Sequence, residues 1–373
     1  MCVVNKMRMV IDLDGVICQL KNPDESYADV KPNNEMINVI KEWKKNGHTI
    51  IIYSARHMRS CNGNVSEVIN KIGKITTDWL EKWNIPYDEI YFGKPYGDIY
   101  IDDLAITYTN TTNLKNKLEL FKPIFVIPMA GEGQRFKQEG IEEPKFLINT
   151  KGKTLFEWSL QSLPLDLAKK VIFVCLQEHQ EKYKVDDFIK NILIKKYPNI
   201  NYKILILPKK TRGQVETVLA CKKEINGKNP LVIYNIDTIF FSSRLKSKLI
   251  TVLLRQLDGI LGAFHSHDQK FSYIEVDSKG IVRHTAEKKV ISNIASTGLY
   301  TFTKGSDFVE AAENMIKNNK TTNNEFYVSE LYNYLISKGK KFIIDFAEKF
   351  IPLGTPEEIK NFEKTKSESI ESI

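Results

Sequence analysis

Glycines and cations in the middle of the chain have the spacing that a triphosphate-binding loop needs. An apolar run leads into Gly131 and Gly133, Arg135 follows, and Lys145 stands after a proline in the next loop. Glycines allow backbone amides to approach phosphate oxygens, and cations neutralise the phosphate charge. Arg135 would hold the β- and γ-phosphates, and Lys145 would reach the α-phosphate. The alternative for the two glycines is an ordinary strand-to-helix turn.

A second group of residues, in the first hundred positions, has the spacing of a phosphoryl-transfer site. Asp12 stands at the end of an apolar run and Asp14 follows two residues later. The first carboxylate can attack phosphorus, while the second can donate a proton to the leaving oxygen. Ser54 can hydrogen-bond the transferring phosphoryl group, and Lys94 can neutralise its charge. Asp12 and Asp14 are equally compatible with a plain turn. For Ser54 and Lys94 taken singly, a turn hydroxyl and a solvated surface charge are the more common outcomes.

Carboxylates further along the first hundred residues predict a magnesium site. Asp102 and Asp103 follow a short apolar run, and with Asp12 they would supply the oxygen ligands that Mg²⁺ prefers. A helix cap is the alternative for this pair. Because four matches occur in the right order, three of them after predicted strands, we interpret the set as catalytic.

The elements that position both groups alternate between strand and helix, which predicts parallel sheets covered by helices. We predict an α/β fold of two doubly wound domains, 1–115 and 122–373. The predicted strands of the first domain are 7–13, 48–53, 88–92 and 98–101. Those of the second are 124–128, 170–176, 202–207, 230–234 and 259–264.

Composition fits a globular protein with anionic ligands. The chain of 373 residues is 42% hydrophobic and 27% charged, and its net charge of +8 arises after residue 121. Solvated helix faces are the alternative explanation of that charge. The apolar runs are too short to span a bilayer, and the basic residues form no run with interleaved aromatics. We therefore expect no membrane or nucleic-acid partner.

The five cysteines lack paired or zinc-like spacing, and no signal peptide is evident, which favours a cytoplasmic setting.

Residues 7–105 resemble a small haloacid-dehalogenase (HAD)-type phosphatase of the kind found in capsule biosynthesis clusters. The resemblance implies a HAD-like Rossmannoid fold that requires Mg²⁺. It further implies Asp12 as nucleophile and metal ligand, and Asp14 as acid/base and metal ligand. Asp102 would be another metal ligand, supported by Asp103, while Ser54 and Lys94 would bind the phosphoryl group.

Residues 122–362 resemble sugar-phosphate nucleotidyltransferases with a GT-A-like, Rossmann-type fold. The resemblance implies nucleotide contacts from Ala130, Gly213 and Gln214, and a magnesium ligand at Asp237. Asp237 also follows an apolar strand, which delivers it to the carboxyl edge of the sheet. The positions that match sugar-contacting ones are Glu287, Lys288, Thr297, Gly298 and Glu325.

The resemblance breaks at a second metal ligand. Many relatives carry an aspartate two residues before the glycine of a Gly-Thr-Pro segment, but here Pro352 occupies that position before Gly354. Asp345 or Glu348 could substitute, or one carboxylate and phosphate oxygens could suffice.

Three functional hypotheses follow. The first is a bifunctional enzyme of capsule-precursor synthesis, which transfers a nucleotidyl group to a sugar or polyol phosphate and also hydrolyses a phosphomonoester. The resemblance favours CTP over UTP or dTTP. The second hypothesis is a nucleotidyltransferase with a scaffold or regulatory HAD domain, and the third is a non-enzymatic nucleotide sensor. A homo-oligomer is one assembly that the sequence leaves open.

Overall fold

The structure is a computed structural model that describes residues 7–102 and 104–365, and the chain divides into two compact units, Met1–Asn116 and Lys117–Ile373. Both units mix helices and strands. Among the described residues, no helix combines the length and apolar character needed to cross a membrane.

The first unit contains a parallel sheet of three strands in the order β1-β2-β3. Its strands are β1 (Arg8–Asp12), β2 (Thr49–Tyr53) and β3 (Glu89–Tyr91). Its helices are α1 (Asn34–Lys45), α2 (Val65–Val68), a π-helical turn (Ile69–Gly73) and α3 (Lys74–Lys82), followed by α4 (Thr111–Leu120), within which the units divide. The central strand β2 consists mainly of isoleucines, which suits a position buried on both faces. The three strands end at one edge of the sheet, where the candidate phosphate ligands follow.

The strand predicted at 98–101 is absent, which corrects the sequence expectation. Tyr100 donates its hydroxyl to the Pro95 carbonyl at 2.5 Å, and its ring lies 4.4 Å from the Lys94 ammonium group. These local contacts fold the segment back on itself, so its backbone pairs with no strand, and Ile101 is 99% exposed. A segment of alternating apolar residues forms a strand only where a neighbouring strand is available for hydrogen bonding.

The second unit is built on a nine-stranded mixed sheet. The main path runs β13-β12-β14-β9-β4-β7-β8, and β11 pairs with both β14 and β15. The pairs β9-β4, β4-β7 and β7-β8 are parallel. The strands are β4 (Ile124–Pro128), β5 (Asn149–Thr150), β6 (Lys153–Thr154), β7 (Lys170–Leu176), β8 (Tyr202–Leu207), β9 (Leu231–Tyr234), β10 (Thr238–Phe241), β11 (Gly259–His265), β12 (Ser272–Val276), β13 (Val282–Glu287), β14 (Ile294–Phe302), β15 (Phe342–Phe346) and β16 (Lys349–Pro352).

Helices and loops cover both faces of this sheet. Alternate residues of β4 belong to two different cores: Val126 packs in one, while Phe125 and Ile127 pack in the other. The helices are α5 (Gln134–Lys137), α6 (Leu155–Gln161), α7 (Gln177–Tyr183), α8 (Val185–Lys196), α9 (Gln214–Leu219), α10 (Lys222–Ile225), α11 (Leu245–Leu254), α12 (Gly305–Lys317), α13 (Leu331–Ser337) and α14 (Pro356–Lys364), with 3₁₀ turns at Lys145–Leu147, Leu165–Leu167 and Val328–Glu330.

Candidate active sites

A cleft of about 390 Å³ opens in the second unit. It lies where the carboxyl ends of the parallel strands β4 and β9 meet, which is where open α/β sheets bind ligands. The predicted site residues in its wall are Ala130, Gly131, Arg135, Lys145, Gly213, Gln214, Asp237, Glu287, Thr297, Gly298 and Glu325. Gly133 and Lys288 lie outside that wall. Gly133 adopts φ +65° directly before α5, a backbone conformation that glycine reaches without strain.

The centre of the cleft is an ion pair between two predicted residues. Lys145 Nζ lies 2.5 Å from Asp237 Oδ2. Lys145 opens a 3₁₀ turn after Pro144, while Asp237 stands in the short connection between β9 and β10. The structure thus places a cation and a hard oxygen ligand beside the glycine loop. This combination can hold a polyphosphate and a divalent cation.

A further carboxylate, Glu358, faces the same cleft and was missed by the sequence reasoning. Its Oε2 accepts the Gly354 amide at 2.8 Å, and its Oε1 pairs with Lys270 at 2.8 Å. A Cβ on Gly354 would lie 3.2 Å from Asp237 Oδ2 and 3.6 Å from Glu358 Oε2, so this glycine brings both carboxylates close. One sequence pattern could have drawn attention to Glu358: Thr355 and Glu358 have the spacing of a helix capping box.

Magnesium fits the cleft only with help from substrate. Within 7–102 and 104–365, no three His, Cys, Asp or Glu side chains converge as a metal site. The two substitutes considered for the missing ligand point elsewhere. Asp345 is buried beside Lys248 at 2.8 Å, and Glu348 accepts the Ser243 amide at 3.1 Å. Mg²⁺ commonly binds one or two carboxylates together with phosphate oxygens, and Asp237 fits that pattern.

Close backbone approaches shape the wall around the predicted nucleotide contacts. Gly213 has φ +125°, and a Cβ there would lie 2.6 Å from the Phe326 nitrogen. Next to it, Gln214 donates its amide to Asn235 Oδ1 at 2.6 Å. Asn235 in turn leaves no room for a side chain on Gly298, since its Nδ2 lies 2.5 Å from the Cβ position there. Asn235 therefore links the two predicted segments.

The predicted sugar-contacting acids belong to two groups of hydrogen-bonded side chains. Glu287 accepts from Ser329 Oγ at 2.8 Å and from the Ser272 hydroxyl. Burial raises the pKa of the Glu287 carboxyl, and the two serine hydroxyls oppose this shift. In the second group, Lys288 Nζ donates to the Tyr327 hydroxyl at 2.6 Å, and that hydroxyl donates to Glu325. The Tyr327 hydroxyl thus joins Lys288 to Glu325.

Aromatic residues that no motif signalled complete the cleft. Phe271 and Phe350 are half-buried in its wall. Phe264 stacks on Phe350 with ring centroids 3.9 Å apart, and the edge of Phe271 meets Phe264 at 5.0 Å. Lys270 stands next to this aromatic wall, and Lys210 adds a further cation. An apolar surface beside a polar network suits a ligand with both characters.

The first unit brings three of its predicted residues to one edge. Asp12 ends β1, and its register partner Tyr53 directly precedes the buried Ser54. The Lys94 amide donates to the Ser54 carbonyl at 3.2 Å, and the Lys94 ammonium group pairs with Asp12. The three residues thus lie at one edge of the sheet, where the side chain of Ser54 is buried and its Oγ accepts the Arg56 amide at 3.2 Å.

Asp14 is held by a buried arginine. The Arg56 side chain is fully buried and donates to Asp14 from Nη2 at 2.8 Å and from Nε at 3.0 Å. Arg56 also donates to Thr76 Oγ1 at 3.2 Å. The burial of Arg56 was not visible, because Thr76 comes from a distant helix.

The predicted three-carboxylate magnesium site is not assembled in the first unit. Asp102 is exposed and accepts the Leu104 amide at 2.6 Å, while Asp12 and Asp14 each pair with a cation. Asp103 lies outside the described residues. The reason is the absent strand at 98–101, which was expected to carry Asp102 to the sheet edge. In the described arrangement these residues do not fit the ion.

The fold and the cleft of the second unit define a nucleotidyltransferase domain of GT-A-like type. A family model for nucleotidyl transferases matches residues 125–359, and the chain belongs to this family. That match lies entirely within the second unit.

Several solved structures resemble this chain. A nucleoside-diphosphate-sugar pyrophosphorylase from Vibrio cholerae RC9 is 29% identical, with a TM-score of 0.56 over 65% of this chain and 100% of that one. A UDP-glucose pyrophosphorylase solved with UDP-glucose is 18% identical, with a TM-score of 0.53 over 67% and 99%. An inositol-1-phosphate CTP transferase from T. maritima is 14% identical, with a TM-score of 0.52 over 66% and 94%. The latter two show likeness of fold alone. No curated protein matches the chain.

Proposed function

We propose that the second unit transfers a nucleotidyl group from a nucleoside triphosphate to a sugar or polyol phosphate. An oxygen of the acceptor phosphate attacks the α-phosphorus, the bond to the β-phosphate breaks, and pyrophosphate leaves. The supporting observation is the convergence of Gly131, Arg135, Lys145 and Asp237 on one cleft in a chain of this family. In this proposal, Arg135 holds the leaving phosphates and Lys145 neutralises the charge on the α-phosphate.

The remaining walls would position the two substrates. Ala130, Gly213 and Gln214 contact the nucleotide, and CTP is the favoured one, with UTP and dTTP as alternatives. Glu287, Gly298 and Glu325 hold the acceptor, with Lys288 acting through Tyr327. Mg²⁺ bound by Asp237 and phosphate oxygens would offset the negative charge of the triphosphate. Because a nucleoside triphosphate is the donor, we propose a cytoplasmic setting. The resemblance to phosphatases of capsule biosynthesis clusters leads us to propose a role in making capsule precursors.

For the first unit we propose phosphomonoester hydrolysis through an aspartyl-phosphate. Asp12 attacks phosphorus, the bond to the leaving oxygen breaks, Ser54 and Lys94 hold the phosphoryl oxygens, and Asp14 donates the proton that the leaving oxygen takes up. Water then cleaves the acyl phosphate and restores Asp12. The support is the convergence of these three residues at the carboxyl edge of the sheet. Such a phosphatase would convert a bisphosphate into the monophosphate acceptor of the second unit.

A scaffold or regulatory role for the first unit is the second candidate. Two observations favour it: Arg56 holds Asp14, and Asp102 lies apart from the other carboxylates. The substitution Asp12→Asn separates the candidates. If phosphate release by the protein is unchanged in this variant, the first unit is not the phosphatase.

A screen for pyrophosphate release tests the transferase proposal. Four nucleoside triphosphates are each paired with sugar and polyol phosphates, with Mg²⁺ and with a chelator. We expect release only when a triphosphate, an acceptor and Mg²⁺ are all present. The variant Asp237→Asn should lose this activity, whereas Asp166→Asn, which removes a carboxylate paired with Lys246 outside the cleft, should keep it. Absence of release with every pair would overturn the proposal.

A further inference from the structure

A second cavity, in the first unit, is lined by cationic, hydroxyl and amide side chains. It measures about 650 Å³, and the side chains that matter for its chemistry are Tyr27, His57, Arg59, Ser60, Asn62 and Tyr96. No aspartate or glutamate occurs among its described wall residues. A wall with an arginine, a histidine and several hydroxyl or amide donors, and without carboxylates, suits an anionic group.

The loop that carries four of these side chains, from His57 to Asn62, makes internal hydrogen bonds. His57 and Asn62 adopt φ of +58° and +47°, which costs free energy in residues with a side chain. His57 Nδ1 and Ser60 Oγ lie 2.9 Å apart, and the Cys61 amide donates to the His57 carbonyl at 2.9 Å. Cys61 itself is buried beneath the loop. These contacts order the loop backbone, while the side chains of Arg59, Ser60 and Asn62 are exposed and open to a ligand.

The cavity lies beside the candidate phosphatase residues. The Tyr27 ring in its wall packs on the buried Arg56 guanidinium at 4.4 Å, and Arg56 holds Asp14. On the other side, Tyr96 comes two residues after Lys94, which pairs with Asp12. The cavity wall is thus linked through Arg56 to Asp14, and along the chain to Lys94.

We propose that this cavity binds a second anionic group of the phosphatase substrate, a phosphate on the far side of a sugar or polyol. The position of the site rests on the proposed phosphatase function. Arg59 is the principal ligand, because a guanidinium can donate two parallel hydrogen bonds to one phosphate. In the free protein its Nη1 donates to the Tyr96 hydroxyl at 3.4 Å, and the guanidinium lies 5.2 Å from that ring. Tyr96 thus holds Arg59 at the cavity, and the two tyrosine rings flank the space for the sugar.

Titration calorimetry on the full chain tests the site directly. The ligands are a hexose 1,6-bisphosphate, the matching hexose 1-phosphate and a hexuronic acid 1-phosphate. We expect the bisphosphate to bind at least about tenfold more tightly than the hexose monophosphate, and Arg59→Gln to abolish the difference. The uronic acid distinguishes a carboxylate from a phosphate as the second anion. The transferase cleft is unchanged by this substitution, so the difference between the two proteins reports on the cavity.

Lys74→Gln is the matched control, since it removes one positive charge from an exposed side chain that pairs with Asp78 on α3. The Lys74→Gln protein should still bind the bisphosphate more tightly than the hexose monophosphate. Equal binding of all three ligands by the unsubstituted chain, or a preference that persists in Arg59→Gln, would overturn the site. Phosphate release is measured in parallel. If the chain binds the bisphosphate more tightly through Arg59 but releases no phosphate, the anion site stands and the phosphatase proposal fails. If the chain releases phosphate but binds all three ligands equally, the phosphatase proposal stands and the anion site fails.

Discussion

The ammonium nitrogen of Lys145 lies 2.5 Å from Oδ2 of Asp237, although 92 positions separate the two residues along the chain. Each partner has a competing ligand in the proposed reaction. A triphosphate would attract Lys145, and a divalent cation would attract Asp237. We therefore expect this ion pair to open when the metal-bound nucleotide enters the cleft.

Replacing Lys145 with alanine should reduce the rate of pyrophosphate release about 100-fold or more, because a cation at the reacting phosphate is lost. Lys360→Ala is the control, since this exposed side chain pairs with Glu139. Steady-state kinetics measure the effect. A Lys145→Ala protein with ordinary turnover would show that the lysine has no part in transfer.

Replacing Gly213 with alanine should destabilise the second unit by about 1–3 kcal/mol and weaken nucleotide binding. The reason is the φ of +125° and the lack of space, since a Cβ there would lie 2.6 Å from the Phe326 nitrogen. Gly227→Ala is a suitable comparison, because no atom lies within 4 Å of its Cβ position. Urea unfolding and the KM for the nucleotide report the two effects. Equal stability of both variants would contradict the packing argument.

The aromatic wall should govern acceptor affinity. We expect Phe271→Leu to raise the KM for the sugar phosphate several-fold and to leave the KM for the nucleotide unchanged, because stacking on the ring is lost. Phe346→Leu removes a ring that contacts His265 instead and should leave both constants unchanged. If Phe271→Leu changed only the KM for the nucleotide, the aromatic wall would belong to the nucleotide subsite instead.

Arg56→Gln should destabilise the first unit by about 3 kcal/mol, because a buried charged network is broken. The control is Arg8→Gln, whose side chain is 60% exposed and pairs with Glu89. Hydrogen exchange localises the change, which should appear in the amides of β1 and α3. Protection equal to that of the unsubstituted chain would show that Arg56 is dispensable.

Glu287 should make stability depend on pH. Burial raises its pKa above the ordinary value of 4.5, so the folded chain binds this proton more tightly than the unfolded chain does. The free energy of unfolding should therefore fall as the pH rises from about 4.5 through the raised pKa. The uncharged variant Glu287→Gln should lack this decline. Urea unfolding between pH 4 and 7 measures it, and identical profiles for both proteins would refute the assignment.

Local sequence determined much of the cleft. The apolar strand before Asp237 and the glycines before Arg135 are short-range patterns, and the parallel strands β4 and β9 bring their ends together. Family resemblance added the nucleotide and sugar contacts. The prediction of a nucleotidyltransferase of GT-A-like type is confirmed by the family match, whereas the individual site residues stay predictions.

Tertiary structure decided those features that depend on contacts between residues far apart in the sequence. Isoleucines at 99 and 101 suited a strand, but their segment pairs with no sheet edge, and the carboxylate of Asp102 stays apart as a result. Arg56 is buried because Asp14 and Thr76 surround it, and Glu358 faces Asp237 because Gly354 leaves space between them. Periodicity and motif spacing record only neighbours along the chain. Burial and ion pairing depend on which remote segments meet, and that is fixed only when the whole core packs.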